Sequence, residues 1–152
     1  MAHGLAFANH AAMTFETDPR LLANSAPVAA LALSDLRLMD DARFPWLVLI
    51  PRVAGASELD DLDAGQRHAL MDEIIAAGVT VRQLGEALGR PIDKVNTAAL
   101  GNVTSQLHVH VVGRRRDDPL WPDPIWGRGG GVAYPEGELE RLARRIGAEI
   151  AS

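Results

Sequence analysis

Apolar and polar residues alternate from Gln106 to Val112, and a period of two predicts a β-strand. On that strand Gln106, His108 and His110 share one face, while Leu107, Val109 and Val111 share the other. With a rise of about 3.3 Å per residue, same-face neighbours stand about 6.6 Å apart. The run from Trp46 to Ile50 is apolar throughout and stops at Pro51, as expected of a strand buried on both faces. Val28 to Leu38 reads as β-like with a polar break at Ser34-Asp35. The turn Asp40-Asp41-Ala42-Arg43 then sets this segment antiparallel to the Trp46 strand. Lys94 to Leu100 predicts a further strand, and Gly101-Asn102 a turn before the histidines.

Two stretches change to a helical period. Leu70, Met71, Ile74, Ile75, Val81, Leu84 and Leu88 recur at spacings of three and four residues and mark one apolar face. A capping box at Asp63 and Gln66 starts this helix, and Gly89 with Pro91 ends it. His68 falls on its polar side. Pro135 opens a shorter helix in which Leu139, Leu142, Ile146 and Ile150 share a face. The segment Pro119 to Gly131, rich in Pro, Gly and Trp, reads as an ordered but irregular loop. The order is strands, helix, strands, helix. This predicts an α+β fold with a mainly antiparallel sheet, one long helix and a C-terminal helix. Residues 1–25 are expected to form an N-terminal extension and residues 26–152 a single domain.

Composition narrows the function. A chain of 152 residues suits one core. A formal net charge of −5 argues against a nucleic-acid binder. The one basic run, Arg114-Arg115-Arg116, is followed directly by Asp117-Asp118 and reads as a solvated loop, the alternative being that one of these arginines faces an anionic substrate. The absence of cysteine excludes disulfides, thiolate nucleophiles and cysteine-ligated metals. No secretion signal is visible, and no apolar run approaches the ~20 residues of a membrane span. The expected location is the cytoplasm, with no membrane partner.

A single strand histidine is ordinarily a hydrogen-bonded structural residue. Two histidines and an amide on one face need another account, because each buried polar group costs free energy unless it is satisfied. His108 and His110 suit zinc or iron, but no third ligand follows at a regular spacing. They also suit phosphate chemistry. A neutral imidazole can attack phosphorus while its neighbour binds a phosphoryl oxygen or protonates the leaving group.

The segment QLHVHVV resembles the motif of the histidine triad (HIT) family, in which three histidines alternate with hydrophobic residues. Val95-Asn96 and Gly101-Asn102 resemble the family's asparagine strand and turn. Trp46-Leu47-Val48-Leu49-Ile50-Pro51-Arg52 resembles its strand ending in Pro-Lys. Trp121-Pro122-Asp123-Pro124-Ile125-Trp126-Gly127 is similar to the ending of one branch of the family. The resemblance runs from about Leu36 to Gly127 and extends to bacterial hydrolases of diadenosine polyphosphates.

The resemblance implies a HIT-like fold and a nucleotide hydrolase or transferase. Such an enzyme would cleave a nucleoside 5′-phosphoryl bond in a dinucleoside polyphosphate or nucleoside phosphoramidate, with no cofactor and no metal. It implies His108 as nucleophile, its far nitrogen held by a main-chain carbonyl, and His110 at the phosphate. Asn96 and Asn102 would contact phosphate or leaving group, and Asp40, with Asp41 second, the ribose. It further implies a homodimer in which the tail carrying Trp121 and Trp126 reaches towards the partner's site. Three histidines of the family pattern are absent, at Gln106, Trp46 and Ala54. The first two would lie against each other, as one correlated change around an intact nucleophile. A nucleotide-binding protein without turnover, and a metal-dependent enzyme using His108 and His110 as ligands, remain the competing readings.

Overall fold

The strand Trp46–Pro51 lies at the centre of the structure, a computed structural model that describes residues 14–151. Its residues Leu47 to Ile50 are buried on both faces, as their unbroken apolar run requires. The part of the N-terminal extension before Thr14, including His3 and His10, lies outside the described residues.

Five strands form one antiparallel sheet in the order β1-β2-β3-β5-β4. They are β1 (Ser25–Ala30), β2 (Ser34–Met39), β3 (Trp46–Pro51), β4 (Lys94–Ala98) and β5 (Val109–Arg114). A short helix α1 (Pro19–Ala23) precedes β1, the long helix α2 (Ala64–Ala87) links β3 to β4, and α3 (Glu138–Ile150) closes the chain. One sheet face carries Leu36, Leu38, Leu47, Leu49, Val109 and Val111, packed with Leu70, Ala77, Val81 and Leu84 of α2 and Leu142 and Ile146 of α3. The other face is covered at one end by Phe15 and Leu21 over Val48 and Ile50. At its other end Phe44, Leu120, Ile125 and Trp126 gather around Trp46 and Val112. The histidines belong to this second face. Among the described residues no helix is long and apolar enough to cross a membrane.

The capping box forms as the sequence predicts: the Gln66 amide N–H donates to Asp63 Oδ1 at 2.8 Å and the Asp63 N–H to Gln66 Oε1 at 2.9 Å. The helix ends at Ala87, with Gly89 beyond it at φ 66°. Helix and sheet meet at Gly113 of β5, where a Cβ would stand 2.7 Å from Val81 Cγ1 and 2.9 Å from Ile92 Cδ1. The absence of a side chain there lets α2 lie directly on the strand.

Several boundaries differ from expectation. The Val28–Leu38 segment is not one strand broken at Ser34. It is the hairpin β1–β2, turning at Leu31-Ala32-Leu33. That turn is apolar because Leu31 and Leu33 pack against the core, and its Leu33 N–H donates 2.7 Å to the buried Glu73 carboxylate of α2. The histidine strand starts at Val109, not Gln106. Its partner β3 ends at Pro51, and a proline has no N–H to continue the ladder; the Leu107 N–H donates to the Ala56 carbonyl instead, at 2.9 Å. The C-terminal helix starts at Glu138, because Gly137 at φ 75° separates it from Pro135. Met71 and Ile75 of α2 stand 56% and 61% exposed rather than on the core face.

Candidate active site

His110 leaves β5 on the face opposite α2, next to Val48 of β3 and Ala98 of β4. His108 precedes the strand by one residue. Both side chains are enclosed, at 4% and 7% exposure for His108 and His110. Their rings meet edge to face with centroids 4.9 Å apart. Leu100, Asn102, Val103, Thr104, His108, His110, Trp126 and Gly127 line a cleft of about 520 Å³, a size in the range of small-molecule sites. The loop before the histidines is tightly wound. A Cβ on Gly101 would stand 3.0 Å from the Thr104 carbonyl oxygen and 3.9 Å from His108 Cε1.

His108 Nδ1 lies 2.7 Å from the main-chain carbonyl oxygen of Gln106. A carbonyl oxygen only accepts, so Nδ1 is protonated, and in the neutral ring the lone pair falls on Nε2. His110 Nδ1 faces the Trp46 indole N–H at 3.1 Å. Trp46 and Trp126 flank the His110 ring at centroid distances of 5.4 and 5.8 Å. Burial, and then the charge of His108, pushes His110 down to about 4, so the ring is neutral near pH 7. Among the described residues no cluster of three His, Asp or Glu side chains is gathered as metal ligands would be.

The structure brings His108, His110 and Asn102 together at one cleft and places the remaining candidates outside it. Gln106 turns away: its carboxamide accepts from the Asp18 N–H and donates to the Glu16 carbonyl, both at 2.8 Å, and lines a separate cleft of about 350 Å³. Its expected contact with Trp46 is not formed. Trp46 pairs with Val112, six residues beyond Gln106, a span of roughly 20 Å along a strand. Asp40 and Asp41 line an adjoining cleft that shares Trp126 and Gly127 with the first. There Asp40 accepts from the Tyr134 N–H at 2.8 Å, and Asp41 forms an ion pair with Arg43 at 2.7 Å. The Arg43 hydrogen bonds hold the Asp41 carboxyl below its usual range despite its burial.

Asn96 and Trp121 instead surround Arg114. The guanidinium donates to Asn96 Oδ1 at 3.1 Å and to the Asp123 carbonyl at 2.9 Å, and stacks 5.8 Å from the Trp121 ring. Arg114 is therefore not part of a solvated basic loop. It is the buried last residue of β5, and only the residues after it reach solvent. Trp126, not Trp121, reaches the histidines, and it does so within its own chain. The sequence sets Trp46 against Gln106 and not against His110, sets Trp126 only towards a partner's site, and does not single out Thr104. Pairing the Trp46 strand with the histidine strand and counting register exposes the Trp46 contact.

The HIT domain profile matches residues 23–117. A histidine triad protein from Bradyrhizobium japonicum has a similar structure, at 34% identity, TM-score 0.80, and coverage of 90% of this chain and 97% of that one. A histidine triad protein from Sinorhizobium meliloti is 41% identical at TM-score 0.76, with 88% and 95% covered. Diadenosine triphosphate hydrolase from Plasmodium falciparum shares the fold at 13% identity and TM-score 0.57, with 95% and 89% covered. No curated protein matches the chain with significance. The chain belongs to the HIT family.

Proposed function

We propose that this protein is a nucleotide hydrolase or nucleotidyl transferase that cleaves a nucleoside 5′-phosphoryl bond through a covalent intermediate on His108. The observation that carries this reading is the 2.7 Å contact from His108 Nδ1 to the Gln106 carbonyl, which in the neutral ring puts the proton on Nδ1 and the lone pair on Nε2, beside a cleft of ligand size. The substrate class is a dinucleoside polyphosphate or a nucleoside phosphoramidate. His108 Nε2 attacks the α-phosphorus, and the bond to the leaving group breaks. Water then attacks the same phosphorus and releases the nucleoside monophosphate and the free imidazole. His110, Asn102 and Thr104 line the cleft and meet the charge that develops on the phosphoryl oxygens. The adjoining cleft, with Asp40, Asp41 and Trp126, receives the nucleoside.

The acting unit in this reading is a cytoplasmic homodimer. The surface that supports it is a stripe of exposed Met71, Ile75 and Val79 on α2 near the open edge strand β4. An unpaired edge and an apolar helix face are both features that a second copy covers.

Quenched incubation with a 32P-labelled adenosine phosphoramidate and a labelled diadenosine polyphosphate tests the chemistry. An acid-labile, base-stable label on His108 is expected. Binding without a label would make the protein a nucleotide sensor, and turnover lost to chelators would make the histidines metal ligands.

A further inference from the structure

Trp46 stands where the family pattern has a histidine, and its side chain makes one directed polar contact. Its indole N–H points at His110 Nδ1, at 3.1 Å. An indole nitrogen only donates, so Nδ1 must present a lone pair, and the one proton of the neutral ring sits on Nε2. His108 is held the other way round, with its proton on Nδ1 by the Gln106 carbonyl.

We infer that Trp46 is a positioning residue that fixes His110 as the Nε2–H tautomer and so makes it a hydrogen-bond donor towards the substrate. The two adjacent imidazoles are then locked in opposite tautomers by two different devices, a carbonyl for His108 and an indole for His110. One presents a lone pair to phosphorus. The other presents N–H to a phosphoryl oxygen, and the pair does not compete for one proton. The β3–β5 register supplies this arrangement. Val48 lies opposite His110 and Trp46 opposite Val112, so Trp46 and His110 share a sheet face as diagonal neighbours, within reach of large side chains. A doubly protonated His110 would set its Nδ1–H against the indole N–H, which agrees with the lowering of its pKa by burial and by His108.

The consequence for catalysis rests on the proposed role of His110, but the tautomer is measured without any substrate. In 15N-labelled wild-type protein at neutral pH, long-range proton–nitrogen spectra should show His110 protonated at Nε2 alone. A coupling through the hydrogen bond should link Trp46 Nε1 to His110 Nδ1. In Trp46→Phe, which keeps an aromatic ring and removes the donor, the Nδ1 resonance should move downfield as that nitrogen loses its partner. If the chemistry proposed above holds, kcat should fall about tenfold, less than the hundredfold or more that outright loss of an aligned transition-state donor costs, because the His110 N–H remains but is no longer held in place, with KM little changed. A wild-type His110 protonated at Nδ1, or ring-nitrogen shifts that are the same in Trp46→Phe, overturns the inference. Should the variant fail to fold, the wild-type coupling decides it. Absence of turnover in both proteins bears on the proposed function and leaves the tautomer measurement standing.

Discussion

Arg114 and Asp118 form an ion pair of 2.7 Å with side-chain exposures of only 1% and 5%. The Arg114 guanidinium also makes the bonds to Asn96 and the Asp123 carbonyl, so it fastens the loop that carries Trp126 to the end of β5. Removing one partner of a buried pair leaves the other charge uncompensated. Asp118→Ala should therefore lower stability by about 3–5 kcal/mol, read from urea denaturation. Arg114→Ala should do the same and also alter tryptophan emission. A loss below about 1 kcal/mol would mean that the pair behaves as a surface contact.

His110 makes stability depend on pH. Its pKa is about 4 in the folded protein against an ordinary value of 6.5. Between these values the unfolded chain binds a proton that the folded chain refuses, so stability is full above pH 6.5 and falls as pH drops towards 4. The whole shift corresponds to about 3 kcal/mol. The urea midpoint of the wild type should fall across this window more steeply than that of His110→Gln. Parallel curves would show that the ring titrates normally.

His108→Ala should abolish turnover. The side chain is buried and bonded to the Gln106 carbonyl, not surface-facing, so the variant should also lose about 1 kcal/mol of stability. Retention of more than about a tenth of the wild-type rate, a barrier change under ~1.4 kcal/mol, would exclude covalent catalysis through this residue.

Gln106 and Trp46 have separate partners, so their substitutions should not couple. In a double-mutant cycle on kcat/KM, Gln106→His and Trp46→His should be additive within about 0.5 kcal/mol. A larger interaction energy would mean that the two positions communicate despite the register between them.

Light scattering at micromolar concentration should give twice the chain mass of 16.3 kDa. Ile75→Glu places a charge in the exposed stripe of α2 and should return the protein to monomer without unfolding it. A fully active wild-type monomer would remove the stripe from consideration as an interface.

Much of the architecture was legible because periodicity reports burial directly. The unbroken Trp46–Ile50 run gave the central strand, and Asp63 with Gln66 gave the start of α2. His108 and His110 stood out because their alternation puts two imidazoles on one face. The turn at Leu31–Leu33 was hidden because its residues are apolar and face the core. Arg114 is hidden for a related reason: a run of three arginines looks solvated until one of them meets Asp118 and Asn96 in the interior. Met71 and Ile75 fit the same helical stripe as Leu70 and Leu84, and spacing alone cannot say which flank of a wide stripe meets the sheet. Trp46 as a donor required knowing the register between two strands far apart in sequence.

The carboxamide of Gln106 fastens the main chain of Glu16 and Asp18 to the segment whose carbonyl steadies His108. An amide side chain carries no ionisable proton, so this clasp between the beginning of the fold and its chemistry neither opens nor closes with acidity. The chain thereby separates two duties within five residues of sequence. At 106 it places a joint indifferent to its surroundings, and at 108 and 110 it places rings whose protons matter.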